Sequence, residues 1–315
     1  MASEIRAFDS SGTYLHKVAA KGEGPGELGE ANGMILVGDT ILWVQDHSKW
    51  TMIGLSPDGE ELARFPMHVL SHGYIWTGTV DNLGRFWKPD AWFGKGGRYE
   101  PKDGVNEIAM RLYYKSFDTS TNTVDSVYMG DDVGMNFVQS FGTSRAHYGI
   151  PFRATRMSAV DPDGGFWQVY TSTYRVARLD QKGDTVLVVE VAMDPVPVGS
   201  DERATHIERI TERGQRFQRA AEAVASLIPE TKPLIQKLIV DDRGRLWVER
   251  EVDAGANPVY DVFDRAGEFW GSIKLDFKPD QFRPIRVRHG HIYAVVLDEW
   301  DVPSIVRADL PDVLR

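Results

Sequence analysis

The sequence predicts an all-β protein of the β-propeller class, and two interleaved repeats carry that prediction. The pattern Asp-x-x-Gly-[Arg/Gly]-[Phe/Leu]-Trp occurs three times, at Asp81–Trp87, Asp161–Trp167 and Asp241–Trp247, with worn relatives at Gly38–Trp43 and His289–Tyr293. Each copy joins two short apolar runs through a polar turn, and the second run opens on an aromatic residue, which is a hairpin signature. Trp43, Trp87, Trp167, Trp247 and Tyr293 follow one another at intervals of 44, 80, 80 and 46 residues. Each copy therefore marks one structural unit, and two units are enlarged by insertions.

A second hairpin follows each first one, turning at Ser56–Gly59, Phe117–Ser120, Leu179–Gly183 and Phe263–Gly267. Asp, Ser and Gly suit these turns because they hydrogen-bond locally or accept positive φ. Two hairpins per unit make four antiparallel strands, one propeller blade. The units run over about 33–67, 74–130, 155–195, 233–276 and 283–310. The N-terminus adds an outer hairpin, Glu4–Asp9 turning into Tyr14–Val18, and the last unit stops after its third strand, Ile305–Ala308. The two incomplete ends are expected to meet. Six blades are the leading count, with a five-bladed ring clasped by an N-terminal strand as the second. The start at Met1-Ala2-Ser3, directly onto a strand, also reads as a chain lacking upstream sequence.

One segment, 200–228, breaks the β pattern. Ser200-Asp201 reads as an N-cap, and Ile207, Ile210, Phe217, Val224 and Leu227 line one helical face. Gly214 is expected to split the segment, and Pro229 to end it. It is a helical insertion between two blades, expected to pack as a cap.

Lys21–Leu28, then Val44-Gln45-Asp46, then Gly54–Gly59 resemble an NHL-type repeat of bacterial six-bladed propellers. In that repeat a Gly-rich loop leads to the inner strand, Val-x-Asp ends the second strand and Asp-x-x-Gly turns the outer hairpin. The match is good over residues 4–67 and weaker over 233–276. The resemblance implies fold and leaves function open, because this architecture hosts binders and enzymes alike.

A closed propeller makes 1–315 one domain. With 42% hydrophobic residues and 9 Trp the chain can bury a substantial core. It has no cysteine, so cytosol and periplasm are not distinguished and the cellular address is unknown; a soluble protein is expected, with a periplasmic or secreted one, its leader absent from this chain, left open. No stretch approaches the apolar length of a membrane helix, so no membrane span is expected. A net charge of −10 disfavours nucleic acid as a partner, since phosphate-binding surfaces need clustered Lys and Arg.

The loops assigned to one face of the propeller are long: 21–33, 66–73, 90–110, 130–156 and 195–232. Loops of such length are generally functional or disordered. His47, His68, His72, His147 and His206 fall on them, and imidazole is the usual base and metal ligand near neutral pH. Counting three residues on from each strand-opening aromatic gives Asp46, Asp90, Tyr170, Arg250 and Val296. Asp46 and Asp90 are thus expected to end neighbouring strands, with Asn32 on the same rim and Asn106 and Glu107 nearby. Converging oxygens of this kind hold Ca2+, although an aspartate at the Asp46 position also serves to cap a turn. Glu23-Gly24-Pro25 resembles the metal-binding Gly-Glu-x-Pro of gluconolactonases, but Gly26–Gly33 intervenes before the strand, so Glu23 is not assigned as a ligand. No Gly-x-Ser-x-Gly, His-Glu-x-x-His, P-loop or strand-linked Gly-x-Gly-x-x-Gly occurs. Trp76, Trp92, Tyr99, Phe137, Phe141, Tyr148 and Phe152 line either a pocket or loop cores, the latter being the commoner use.

Three functions follow. The first resembles the paraoxonase, gluconolactonase and diisopropylfluorophosphatase architecture: a hydrolase of small-molecule lactones, esters or phosphotriesters. A divalent metal, Ca2+ first and Zn2+ second, would be held by Asp46, Asp90 and Asn32 at the axial tunnel mouth. It would polarise the substrate, with His72, His147 or His47 as base on water. The second is a non-catalytic propeller binding a ligand or a protein partner. The third is a lyase or carbohydrate-active enzyme using Glu107 and Asp131.

Overall fold

The computed structural model describes residues 4–66, 79–94 and 99–315, and over these the protein is all-β with one helical insertion. In chain order, β1 (Ile5–Phe8) and β2 (Tyr14–Ala19) form a hairpin. A four-stranded meander follows: β3 (Ala31–Val37), β4 (Ile41–Asp46), β5 (Thr51–Leu55) and β6 (Glu61–Pro66). A five-stranded sheet comes next, of β7 (Thr79–Val80), β8 (Arg85–Phe93), β9 (Gly104–Asp118), β10 (Thr123–Phe141) and β11 (Ser144–Gly149). Then β12 (Arg156–Val160), β13 (Phe166–Tyr170), β14 (Arg175–Leu179) and β15 (Thr185–Glu190) make a meander. The insertion carries α1 (Ser200–Thr211) and α2 (Gln218–Leu227). Another meander is β16 (Ile235–Val240), β17 (Leu246–Arg250), β18 (Val259–Phe263) and β19 (Phe269–Lys274). The chain ends on three strands, β20 (Arg286–Arg288), β21 (His291–Leu297) and β22 (Pro303–Asp309). These successive antiparallel meanders are the blade units that the repeats predict.

The chain divides into two compact units, one of Met1–Asp90 with Tyr114–Val127 and one of Ala91–Tyr113 with Tyr128–Arg315. In each, sheets stack face to face. Strand residues alternate between faces, so a sheet covered on both sides is apolar on both. In the second unit Leu246 and Val248 of β17 pack with Trp167, Val169 and Val176 of the preceding sheet. Trp247, between them, packs with Val287, Ile292 and Ala294 of the following one. In the first unit Ile5 and Val18 cover Val44 and Ile53, while Trp43 and Met52 meet Phe86 and Phe117.

The repeated Asp-x-x-Gly turn has a definite job. Asp81 accepts from the amides of Leu83 and Arg85, from Arg85 Nε at 2.7 Å and from Trp87 Nε1 at 2.8 Å. Asp241 repeats this set with Arg243, Arg245 (Nε at 2.7 Å) and Trp247 (Nε1 at 3.0 Å). Gly84 and Gly244, at φ of 77° and 75°, allow the chain to turn back, a conformation that costs a side-chain-bearing residue. The third copy differs because Gly165 replaces the arginine. Asp161 instead takes Arg178 from β14 and Arg265 from the β18–β19 turn, and Trp167 Nε1 is buried without a partner among the described residues.

Two of the expected long loops are corrected. Residues 90–110 and 130–156 are largely strand: β9 and β10 extend to 15 and 19 residues, and β11 adds an edge to them. The insertion matches expectation, with a helical break at Gly214 (φ 118°), but its first cap is Gly199, whose N–H is accepted by Glu202 Oε2 at 2.9 Å; Ser200 lies inside α1. Phe217, Val224, Ile207, Ile210 and Leu227 do form its apolar face. They pack on Phe137, Tyr148, Phe141 and Phe152, which are therefore core residues.

Replacing Asp241 with Ala leaves the buried Arg245 guanidinium uncompensated. The expected loss is about 3–5 kcal/mol, measured as a shift in urea midpoint; Asp58→Ala, at an exposed turn, serves as the neutral control.

Candidate functional site

Asp46 is fully buried at the end of β4, and four donors converge on it: the amides of Gly29 (2.7 Å), Glu30 (3.0 Å) and Lys49 (3.2 Å) and the Ser48 hydroxyl (3.1 Å). Burial alone would raise its carboxyl. The hydrogen bonds outweigh burial and hold the group below the ordinary carboxylate value. Asp90 is engaged by Lys115 Nζ at 2.5 Å, with Lys88 Nζ at 3.9 Å. Asn32 lies in the bulge beyond the Ala31–Asp46 pair. His47 stacks near Trp50, ring centroids 5.5 Å apart. His147 sits in the second unit, exposed on β11, with Nδ1 3.4 Å from Asn136. His68 and His72 lie outside the described residues.

Neither Asp46 nor Asp90, as engaged in this structure, fits a divalent cation. A metal ligand needs lone pairs directed at the ion, whereas the Asp46 carboxylate is spent on N–H and O–H donors and Asp90 faces ammonium groups. The Gly-rich segment is likewise structural. Gly24 N–H donates to Glu27 Oε2, Gly26 N–H to Glu61 Oε2, and Lys49 Nζ to the Gly22 and Glu27 carbonyls at 2.6 and 3.1 Å. Arg64 and the Gly26 amide bring the Glu61 carboxyl down to about 2. Glu23 is almost wholly exposed, 3.7 Å from Lys49. Of the other acids considered, Asp131 accepts from Tyr128 at 2.7 Å, and Glu107 lies exposed on β9.

A charged pocket stands elsewhere, at the end of β17. Its volume is about 240 Å³, and its wall includes Lys237, Glu249, Arg250, Glu251, Tyr260 and Lys278. Strand register assembles it: Lys237 pairs with Glu249 across β16–β17, and Glu249 with Tyr260 across β17–β18. Tyr260 donates its hydroxyl to Glu249 Oε2 at 2.6 Å. Burial, then the Glu249 charge, push that phenol far up, so it stays a neutral donor. Glu251 accepts from Lys232 Nζ at 2.9 Å and from Gln236. Lys232 is buried and also reaches Glu202 of α1 at 2.7 Å. Burial works against its ammonium, but the two carboxylates outweigh that and raise its pKa. Arg250 stands 4.0 Å from Asp261, which already accepts from Tyr174 (2.8 Å) and Ser272 (2.5 Å). Lys278 makes no ion pair among the described residues. A second cavity of about 240 Å³, with Phe152, Ser172, Pro195, Pro229 and Thr231 in its wall, also touches Lys232.

Position counting reaches Arg250, but not the acids around it. The available signal is three consecutive charged residues, Glu249-Arg250-Glu251, directly after the buried run Leu246-Trp247-Val248. Charges crowded at the end of a core strand need partners, and β16, β18 and Lys232 just before β16 supply them.

No family model matches the chain, and no curated protein does. Solved structures similar to it include a DUF4221 family member from Bacteroides vulgatus, 10% identical, covering 97% of this chain and 86% of its own, with a TM-score of 0.46. Virginiamycin B lyase from Staphylococcus aureus is 10% identical over 88% of this chain and 83% of its own, TM-score 0.34. Glutaminyl cyclase from Myxococcus xanthus is 8% identical over 89% and 91%, TM-score 0.32. Likeness at this level carries no information on substrate or mechanism. Among the described residues no helix is long and apolar enough to cross a membrane.

Asp46→Asn removes an acceptor for several amides, with an expected loss of about 2–3 kcal/mol at neutral pH. Because the carboxyl is held low in the fold, its contribution is complete above about pH 4 and is lost as pH falls through the folded value. Urea midpoints measured from pH 7 to pH 3 therefore converge for wild type and variant at the acid end.

Proposed function

We propose that the protein is a non-catalytic ligand-binding propeller and that the pocket at the end of β17 takes a small carboxylate-bearing molecule. One observation carries this reading. The pocket's carboxylates already have partners within the protein, Tyr260 on Glu249 and Lys232 on Glu251, while Arg250 and Lys278 stand in its wall without close ion pairs of their own. The wall thus offers surplus positive charge on a protein of net charge −10. A guanidinium beside an ammonium is suited to a carboxylate, which accepts two parallel bonds from Arg. Fixed acceptors at Glu249 and Glu251 then discriminate among ligands by what else they carry.

The hydrolase reading is less well supported. It requires Asp46 to surrender four donors and Asp90 to leave two lysines before either could hold Ca2+ or Zn2+. The binding reading requires neither. A protein partner at this pocket is disfavoured by its small volume.

The test is thermal unfolding in a panel of mono- and dicarboxylates and amino acids. A ligand that binds only the native state raises the melting temperature in a saturable way. Arg250→Ala and Lys278→Ala are each expected to weaken the responding ligand at least about tenfold, roughly 1.4 kcal/mol, without lowering the ligand-free melting temperature. A panel without any response, or variants that keep the full response, would count against the site.

A further inference from the structure

The break between the insertion's helices exposes a set of donors that the pocket does not use. Gly214 sits at φ 118°, followed by one 3-10 turn, Gln215–Phe217, that runs into α2. Neither the turn nor the first turn of α2 has a side-chain cap or an acidic residue. The Phe217 amide is accepted by the Gly214 carbonyl at 3.0 Å and the Gln218 amide by that of Gln215, so the leading amides at the break are those of Gln215 and Arg216, and the helix dipole adds positive potential there.

Arginines cluster at the same point. Arg219 pairs with Asp103 at 3.1 Å, but Arg213 and Arg216 make no ion pair among the described residues. The Arg216 guanidinium is held over the rings of Phe217 and Phe141, at 4.8 and 5.5 Å. Beneath lies the β10–β11 hairpin, where Tyr148 is 5% exposed and its hydroxyl has no partner among the described residues. Burial pushes that phenol up, and the charges of Arg213 and Arg216 act against it. Register pairs Phe137 with Tyr148 and Gln139 with Ala146, so Gln139 and Tyr148 are diagonal neighbours on one face. Gln139 Nε2 donates to the Arg216 carbonyl at 2.9 Å, and its buried Oε1 has no partner. A Cβ on Gly214 would meet nothing within 4 Å, so the approach is open.

We propose that this break is a binding site for inorganic phosphate, with Arg213, Arg216, Tyr148 and the amides of Gln215 and Arg216 as donors and Gln139 Oε1 as acceptor. Guanidinium groups and uncapped helix starts recognise oxyanions. An acceptor in the same set selects an oxyanion that still carries a proton. Inorganic phosphate does so near neutral pH, as a mixture of its mono- and dianion, while sulfate and carboxylates do not; a phosphate ester has largely lost that proton by then.

The experiment is titration of the full chain with inorganic phosphate, followed by calorimetry and melting temperature at constant ionic strength. A saturable rise is expected with phosphate, and a weaker one with sulfate. Arg213→Gln/Arg216→Gln should lower phosphate affinity about tenfold or more. Tyr148→Phe should lower it by about three- to tenfold while leaving the phosphate-free melting temperature unchanged or higher, because it removes an unsatisfied hydroxyl. The proposal is overturned if phosphate acts no differently from chloride, if sulfate binds as tightly, or if both variants keep wild-type affinity. Intact binding in Arg250→Ala separates this site from the carboxylate pocket.

Discussion

A four-stranded antiparallel sheet covers neither of its faces, and within each compact unit one sheet is covered by the next. The β16–β19 meander shows the constraint most clearly. Leu246 and Val248 point to one neighbour and Trp247 to the other, so a single five-residue strand contributes to two separate cores. A shift of register by one residue would exchange those faces and strand the Trp247 indole on the wrong side. The apolar alternation therefore sets both the strand pairing and the order of stacking.

Stacking leaves polar groups to be satisfied where strands turn, and the buried aspartates meet that need. Asp81 and Asp241 hold the turn amides, an arginine and the indole of the following tryptophan in one carboxylate, tying the turn to the core beneath it. At Asp161 the same position reaches outward, and Arg265 from the neighbouring meander enters the pair. The departure has a local cause. At Gly165, with φ 92°, an added Cβ would lie 2.3 Å from the Leu179 carbonyl, so a side chain there has no room and the charge comes from elsewhere.

The candidate sites arise where this economy is incomplete. At the end of β17 the acids find tyrosine and lysine partners through register, and the cations Arg250 and Lys278 are left over. At Gly214 the helical insertion interrupts itself, and Tyr148 beneath the gap is buried without a partner among the described residues. Both are places where a ligand completes a set of interactions that the chain does not close by itself.

The sequence alone determined the class of fold, the strand-turn-strand units and the helical insertion with its break at Gly214, because period-2 alternation, turn residues and helical spacing are local properties. It also allowed either a cap or a ligand at Asp46. Only the tertiary structure shows the amides that Asp46 caps, since Gly29 and Glu30 are brought there by the β3–β4 approach rather than by sequence neighbourhood. The extension of β9 and β10 through apparent loops was likewise decided by pairing, because a strand rich in Gly and Asp gains its regularity from the strand beside it. The charged pocket was hidden for the same reason: Lys237, Glu251, Tyr260 and Lys278 are far apart in the chain, and only sheet register and packing bring their polar groups to one wall.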